Sequence, residues 1–103
     1  MAVRVIMERR VRLGNEMELN DLLREVRARA LRQPGYLSGE TLVSAEDPAY
    51  HLVISNWLTL KDWQAWELKP ERQELIQKIN ALLLIPPRTT IWLEGAGVAV
   101  PGV

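Results

Sequence analysis

The sequence predicts an α+β fold, a four-stranded antiparallel sheet with helices on one face. Three observations carry this. Val3, Val5, Met7 and Val11 alternate with Arg4, Glu8, Arg10 and Arg12, the alternating pattern of a strand. Leu19, Leu22, Leu23, Val26 and Ala30 recur at helical spacing and form one apolar stripe. Two further strand-like runs, 36–44 and 50–57, are separated only by a short turn at Ala45-Glu46-Asp47-Pro48, which makes them an antiparallel hairpin.

Each element can be justified in chain order. In the first strand Ile6 breaks the polar face and Arg9 breaks the apolar one. Gly14-Asn15 ends that strand, and Asn15 with Glu18 offers a cap for the first helix. Arg24, Arg27 and Arg32 point largely away from its apolar stripe, and Pro34-Gly35 stops it. The third strand is the most apolar, with Leu52, Val53, Ile54 and Trp57. It runs into Asn56-Trp57-Leu58-Thr59-Leu60-Lys61-Asp62-Trp63-Gln64-Ala65-Trp66, which holds three of the four tryptophans. Thr59 and Asp62 form a cap-like pair for a short helix, and Leu58 and Trp63 have the spacing of a hydrophobic staple. Trp63 and Trp66 share one helix face. Pro70 starts a further helix with Leu75, Ile76, Ile79, Leu82 and Leu83 in phase, and Pro86-Pro87 forbids its continuation. Residues 88–94 read as the last strand. Residues 1–94 therefore form one domain, and 95–103 a Gly/Ala/Val/Pro tail that is flexible or docked on a partner subunit. The order β-α-β-β-α-α-β is that of a ferredoxin-like sandwich. Strands one and three are apolar on both faces, although the helices can cover only one. The simplest second cover is the same sheet of another copy across a two-fold axis, so a homodimer with two sheets face to face is expected.

Composition narrows function mainly by exclusion. Thirteen basic and thirteen acidic residues cancel, which leaves no overall field for nucleic acid or anionic lipid. Without cysteine there are no disulfides or thiolate ligands, and a single histidine makes a dedicated metal site unexpected. No GxGxxG follows a strand, so no dinucleotide cofactor is expected either. The longest apolar run, 81–85, is too short to span a bilayer, and no secretory signal pattern opens the chain; a cytoplasmic location is expected.

From Val3 to Leu93 the chain resembles the antibiotic biosynthesis monooxygenase (ABM) family of the dimeric α+β barrel superfamily. The resemblance rests on the strand ending at Gly14, on Gln33-Pro34-Gly35-Tyr36, on Glu46-Asp47-Pro48 in the hairpin, and above all on the tryptophan-bearing passage from Asn56 to Trp66. It implies two sheets pairing in a homodimeric barrel, and a superfamily that includes cofactor-independent oxygenases, haem-degrading enzymes, isomerases and members without activity. The haem-degrading pattern has an Asn on the first strand, a Trp on the short helix and a His on the next. Trp66 matches the Trp, but the other two positions fall on Arg9 and Ile76, which disfavours haem degradation.

An oxygenase without a cofactor takes its electrons from the substrate, and needs an apolar cavity with a few hydrogen-bond donors for the developing anion. The candidates for catalysis are Asn56, Trp66 and His51; those for substrate binding are Arg9, Tyr36, Trp63 and Trp92. Each also has a purely structural role open to it. Trp57 and Trp92 suit core or interface packing, and Trp66 either core or cavity wall. Asn56 needs a partner beside Leu52 and Ile54, and backbone bonding would serve. His51 suits a rim position as well as a general base. Arg9 needs an anion, either a substrate or a Glu across a subunit interface. The expected function is a cofactor-independent monooxygenase acting on a small aromatic or quinol-type molecule. The alternative is a non-catalytic ligand-binding or dimerisation module of the same fold.

Overall fold

The computed structural model describes residues 2–95, so the expected tail lies, apart from Gly95, outside the described residues. The elements run β1 (Val3–Arg10), α1 (Glu16–Ala30), β2 (Tyr36–Val43), β3 (Tyr50–Trp57), α2 (Leu60–Glu67), α3 (Pro70–Asn80) and β4 (Arg88–Leu93), in the order expected. The strands form one sheet in the order β2-β3-β1-β4. Every neighbouring pair is antiparallel. Among the described residues no helix is long and apolar enough to cross a membrane.

Register decides which side chains meet the helices. Val3 pairs with Trp57, Val5 with Ser55, Met7 with Val53 and Arg9 with His51, so these residues share the helix-covered face. Val3, Val5, Met7 and Trp57 are buried there with Ala30 of α1 and with Trp63 and Trp66 of α2. A second cluster of Val11, Leu19, Ile79 and Leu83 clamps α1 to α3 below the first. The opposite face carries Ile6, Leu52 and Ile54 together with Leu42 of β2 and Trp92 of β4, and among the described residues no element lies over it. Trp92 is 57% exposed and Leu42 46%.

Two local expectations change. Asn15 makes no side-chain cap on α1. The Glu16 carboxylate instead accepts the Gly14 N–H at 2.9 Å, reaching back over a glycine at φ 102°. At α2 the Thr59 cap forms: Thr59 Oγ1 accepts the Asp62 N–H at 3.1 Å and donates to the Asp62 carboxylate at 2.8 Å. Leu58, expected to staple onto Trp63, stays 55% exposed while Trp63 is buried. Trp63 is covered by the sheet and by Arg72 rather than by its own helix entry.

Gly35 fixes the approach of α1 to α2. Its φ is 81°, its carbonyl accepts the Leu58 N–H at 2.7 Å, and a Cβ there would overlap the Asp62 carboxylate. Gly35→Ala combines a left-handed backbone with the loss of the Asp62 cap. It is expected to lower stability by roughly 2–3 kcal/mol, read as a fall in the urea midpoint at unchanged slope.

Candidate functional site

The helix-covered face does not close completely. Between the sheet and the helices lies a cavity of about 70 Å³, space for a few waters or part of one small ring. Met7 and Arg9 of β1 and Val53, Ser55 and Trp57 of β3 form its floor. Val26, Arg27 and Ala30 of α1, Trp63 and Trp66 of α2, and Arg72 and Ile76 of α3 form the roof. Tyr36, Gly39 and Thr41 of edge strand β2 complete the rim.

One wall is aromatic. Trp57 packs edge-on to Tyr36 at 5.2 Å and to Trp63 at 5.8 Å between ring centroids. The Trp57 indole N–H donates to Ser55 Oγ at 3.0 Å, whereas the buried Trp63 N–H has no partner. Gly39 leaves the room that the Tyr36 hydroxyl occupies, since a Cβ there would stand 2.5 Å from it. Burial pushes the Tyr36 phenol up from its ordinary value, with the Arg27 charge opposing.

The other wall is cationic. Arg9 is 2% exposed, and its buried Nε and Nη1 have no hydrogen-bond partner. Burial first, and repulsion from Arg72 second, lower its pKa to about 10. Arg72 is 7% exposed, donates to the Glu67 carbonyl at 3.3 Å, and sets its guanidinium 5.1 Å from the Trp63 ring centre. Burial also holds its pKa below the ordinary value. Among the described residues neither arginine has a carboxylate within ion-pair distance.

The expected site residues divide by face. Arg9, Tyr36, Trp63 and Trp66 all line the cavity. Asn56 and Trp92 do not. Trp57 takes the inward position, so Asn56 beside it faces the open side. There it accepts from Arg4 Nε at 3.1 Å and donates to Ser38 Oγ at 3.0 Å. Trp92 is on the same open side and donates to Thr90 Oγ1 at 3.0 Å. His51 lies on the helix-facing side beyond the lining residues, its Nε2 3.0 Å from the Pro48 carbonyl. Arg72 is the residue that sequence reasoning missed. Its signal was present: Arg72, Leu75, Ile76 and Ile79 follow helical spacing, which puts a charge on the apolar stripe of α3. Arg9, Trp66 and Ile76, the three positions of the haem-degrading pattern, do converge on one cavity. No group of three or more His, Cys, Asp or Glu side chains among the described residues is placed to hold a metal ion.

Comparison with known proteins fits this geometry. Residues 2–78 match the sequence profile described as antibiotic biosynthesis monooxygenase. Protein SchA of Streptomyces halstedii is 27% identical over 78 residues, 76% of this chain; the chain spans only 20% of that relative's length. The fold resembles SnoaB, a cofactor-independent oxygenase from Streptomyces nogalater, with a TM-score of 0.82 at 16% identity over 97% of both chains. It also resembles a conserved protein from Methanosarcina mazei, with a TM-score of 0.84 at 15% identity over 89% of this chain and 91% of that one.

Proposed function

The chain belongs to the antibiotic biosynthesis monooxygenase family, and from that premise we propose that its sheet–helix cavity binds a small aromatic or quinol-type molecule and oxygenates it without a cofactor. The observation that carries this is the pairing of an aromatic wall with buried, unpartnered N–H donors on Arg9 and Trp63. The ring would lie against Trp57 and Trp63. The donors would face the oxygen on which negative charge sits while the ring gives electrons to dioxygen. A site of low polarity strengthens that attraction and keeps water from the oxygenated anion. We further propose a homodimer through the open sheet face, supported by the apolar group of Ile6, Leu52, Ile54 and Trp92 that no element among the described residues covers.

The test is oxygen uptake by naphthoquinols or anthrones mixed anaerobically with the protein. The protein is expected to accelerate uptake, and Trp66→Phe, which changes the cavity roof, to reduce the rate about tenfold or more. Asn56→Ala, on the opposite face, is expected to leave it unchanged. No acceleration over buffer overturns the oxygenase reading; an unchanged rate in Trp66→Phe removes Trp66 from it.

A further inference from the structure

Three arginines line the cavity, Arg27 exposed and Arg9 and Arg72 buried, and the one acid of the lining, Glu40, is exposed. Arg9 and Arg72 both line it, both are buried, and neither has an acidic partner among the described residues. A partner subunit on the open face does not reach Arg9 either, because Arg9 sits on the helix-covered side. A desolvated guanidinium without a partner is costly to the fold, and such cost is retained where a ligand offsets it.

The cavity also lacks a base. The one acid in its lining, Glu40, is paired with Ile54, and that register turns its side chain to the open face. The Tyr36 phenol is held in its neutral form by burial, and His51 is outside the lining. A ligand entering here therefore has no side chain to take its proton, and arrives already ionised.

We propose that the cavity is a receptor for a planar aromatic anion whose charge is spread over two oxygens, held between Arg9 and Arg72 with its ring on the Trp57–Trp63 wall. Two guanidinium groups match two oxygens sharing one charge better than they match a single phenolate oxygen. A carboxylate and the anion of a hydroxyquinone share this chemistry. The proposal rests on the cavity being the ligand site, but not on oxygen chemistry.

Calorimetric titration at about pH 7.5 tests it, with benzoate against benzamide and 2-hydroxy-1,4-naphthoquinone against 1,4-naphthoquinone. At least one anion is expected to bind tenfold or more tighter than its neutral counterpart. Arg9→Met and Arg72→Met are each expected to remove that preference, and Arg9→Lys to restore part of it. Preference for benzoate alone assigns a carboxylic acid; preference for the hydroxyquinone alone assigns an acidic enol. Neutral and charged members binding alike, or Arg9→Met keeping the full preference, overturns the proposal. Anion binding without oxygen uptake would leave this proposal standing and remove the oxygenase reading. Quinol turnover without anion preference would do the reverse.

Discussion

Arg9→Met is expected to make the empty protein more stable while abolishing its preference for anions, and the two effects together separate a ligand-binding residue from a structural one. Methionine is unbranched, suits the apolar strand position between Met7 and Val11, and leaves no orphaned N–H. The guanidinium it replaces is destabilised by burial and by Arg72. The fall from its ordinary value to about 10 corresponds to roughly 3 kcal/mol against the charged form. Some is given back in lost contacts of the aliphatic stem, so a net gain of about 1–2 kcal/mol is expected, or roughly 4–16 °C in Tm for a domain of this size. The pH dependence has a definite sign. Because the folded-state pKa lies below the unfolded one, the penalty is fully present below about pH 10 and is relieved as pH rises from there toward the ordinary arginine value. The stability difference between variant and parent is therefore flat through neutral pH and narrows above about pH 10. Saturating anion closes the same gap at neutral pH, since it binds the parent and not the variant. A variant less stable than the parent would mean that Arg9 holds the fold together and would argue against a ligand role.

How much of this site was readable beforehand follows from the physics of each element. Strand β1 was legible to single residues, because side chains alternate strictly across a strand and its apolar face is regular enough for Arg9 to stand out. The tryptophan passage was legible as a fold device: Thr59 caps α2, and Trp57, Trp63 and Trp66 all point inward. Strand β3 was not legible in the same way. Leu52, Val53 and Ile54 are apolar on both faces, so nothing local says which face receives the helices. One step of register moves Asn56 from the cavity to the open side. Only the competition between Trp57 and Asn56 for the inward position decides it, and the indole wins by apolar area. Arg72 was hidden differently. It lies in a polar run with Glu71, Gln73 and Glu74, where a solvated helix face is the ordinary reading, and its burial depends on the Trp63 ring, which local sequence does not bring near. The two buried cations of the cavity thus come from separate parts of the chain, β1 and α3, and their pairing is a property of the tertiary fold.

Ile54→Lys is expected to convert a dimer into a monomer without harming the subunit. Ile54 is on central strand β3 of the open face, flanked by Ile6 on β1 and by Glu40 on β2. In an isolated subunit the lysine has water on one side and Glu40 directly opposite, a cross-strand pair of opposite charge that costs nothing. In two sheets packed about a two-fold axis the same change carries a lysine from each copy, with its Glu40, out of water into one apolar layer. Desolvation of these charges at several kcal/mol predicts a dissociation constant raised at least a hundredfold. Sedimentation at micromolar concentration is expected to give twice the 11.8 kDa chain mass for the parent and the chain mass for the variant. The far-ultraviolet spectrum of the variant should stay that of the parent. A monomeric parent would refute the proposed face-to-face dimer at once. A variant that stays dimeric would move the interface off the open face, to the exposed edge at β4 where Ile91 and Leu93 lie 45% and 56% exposed. Ile54 borders the cavity, but its register turns the side chain to the opposite face of the sheet, so anion binding by the monomer at the parent's affinity would establish that each subunit carries a complete site.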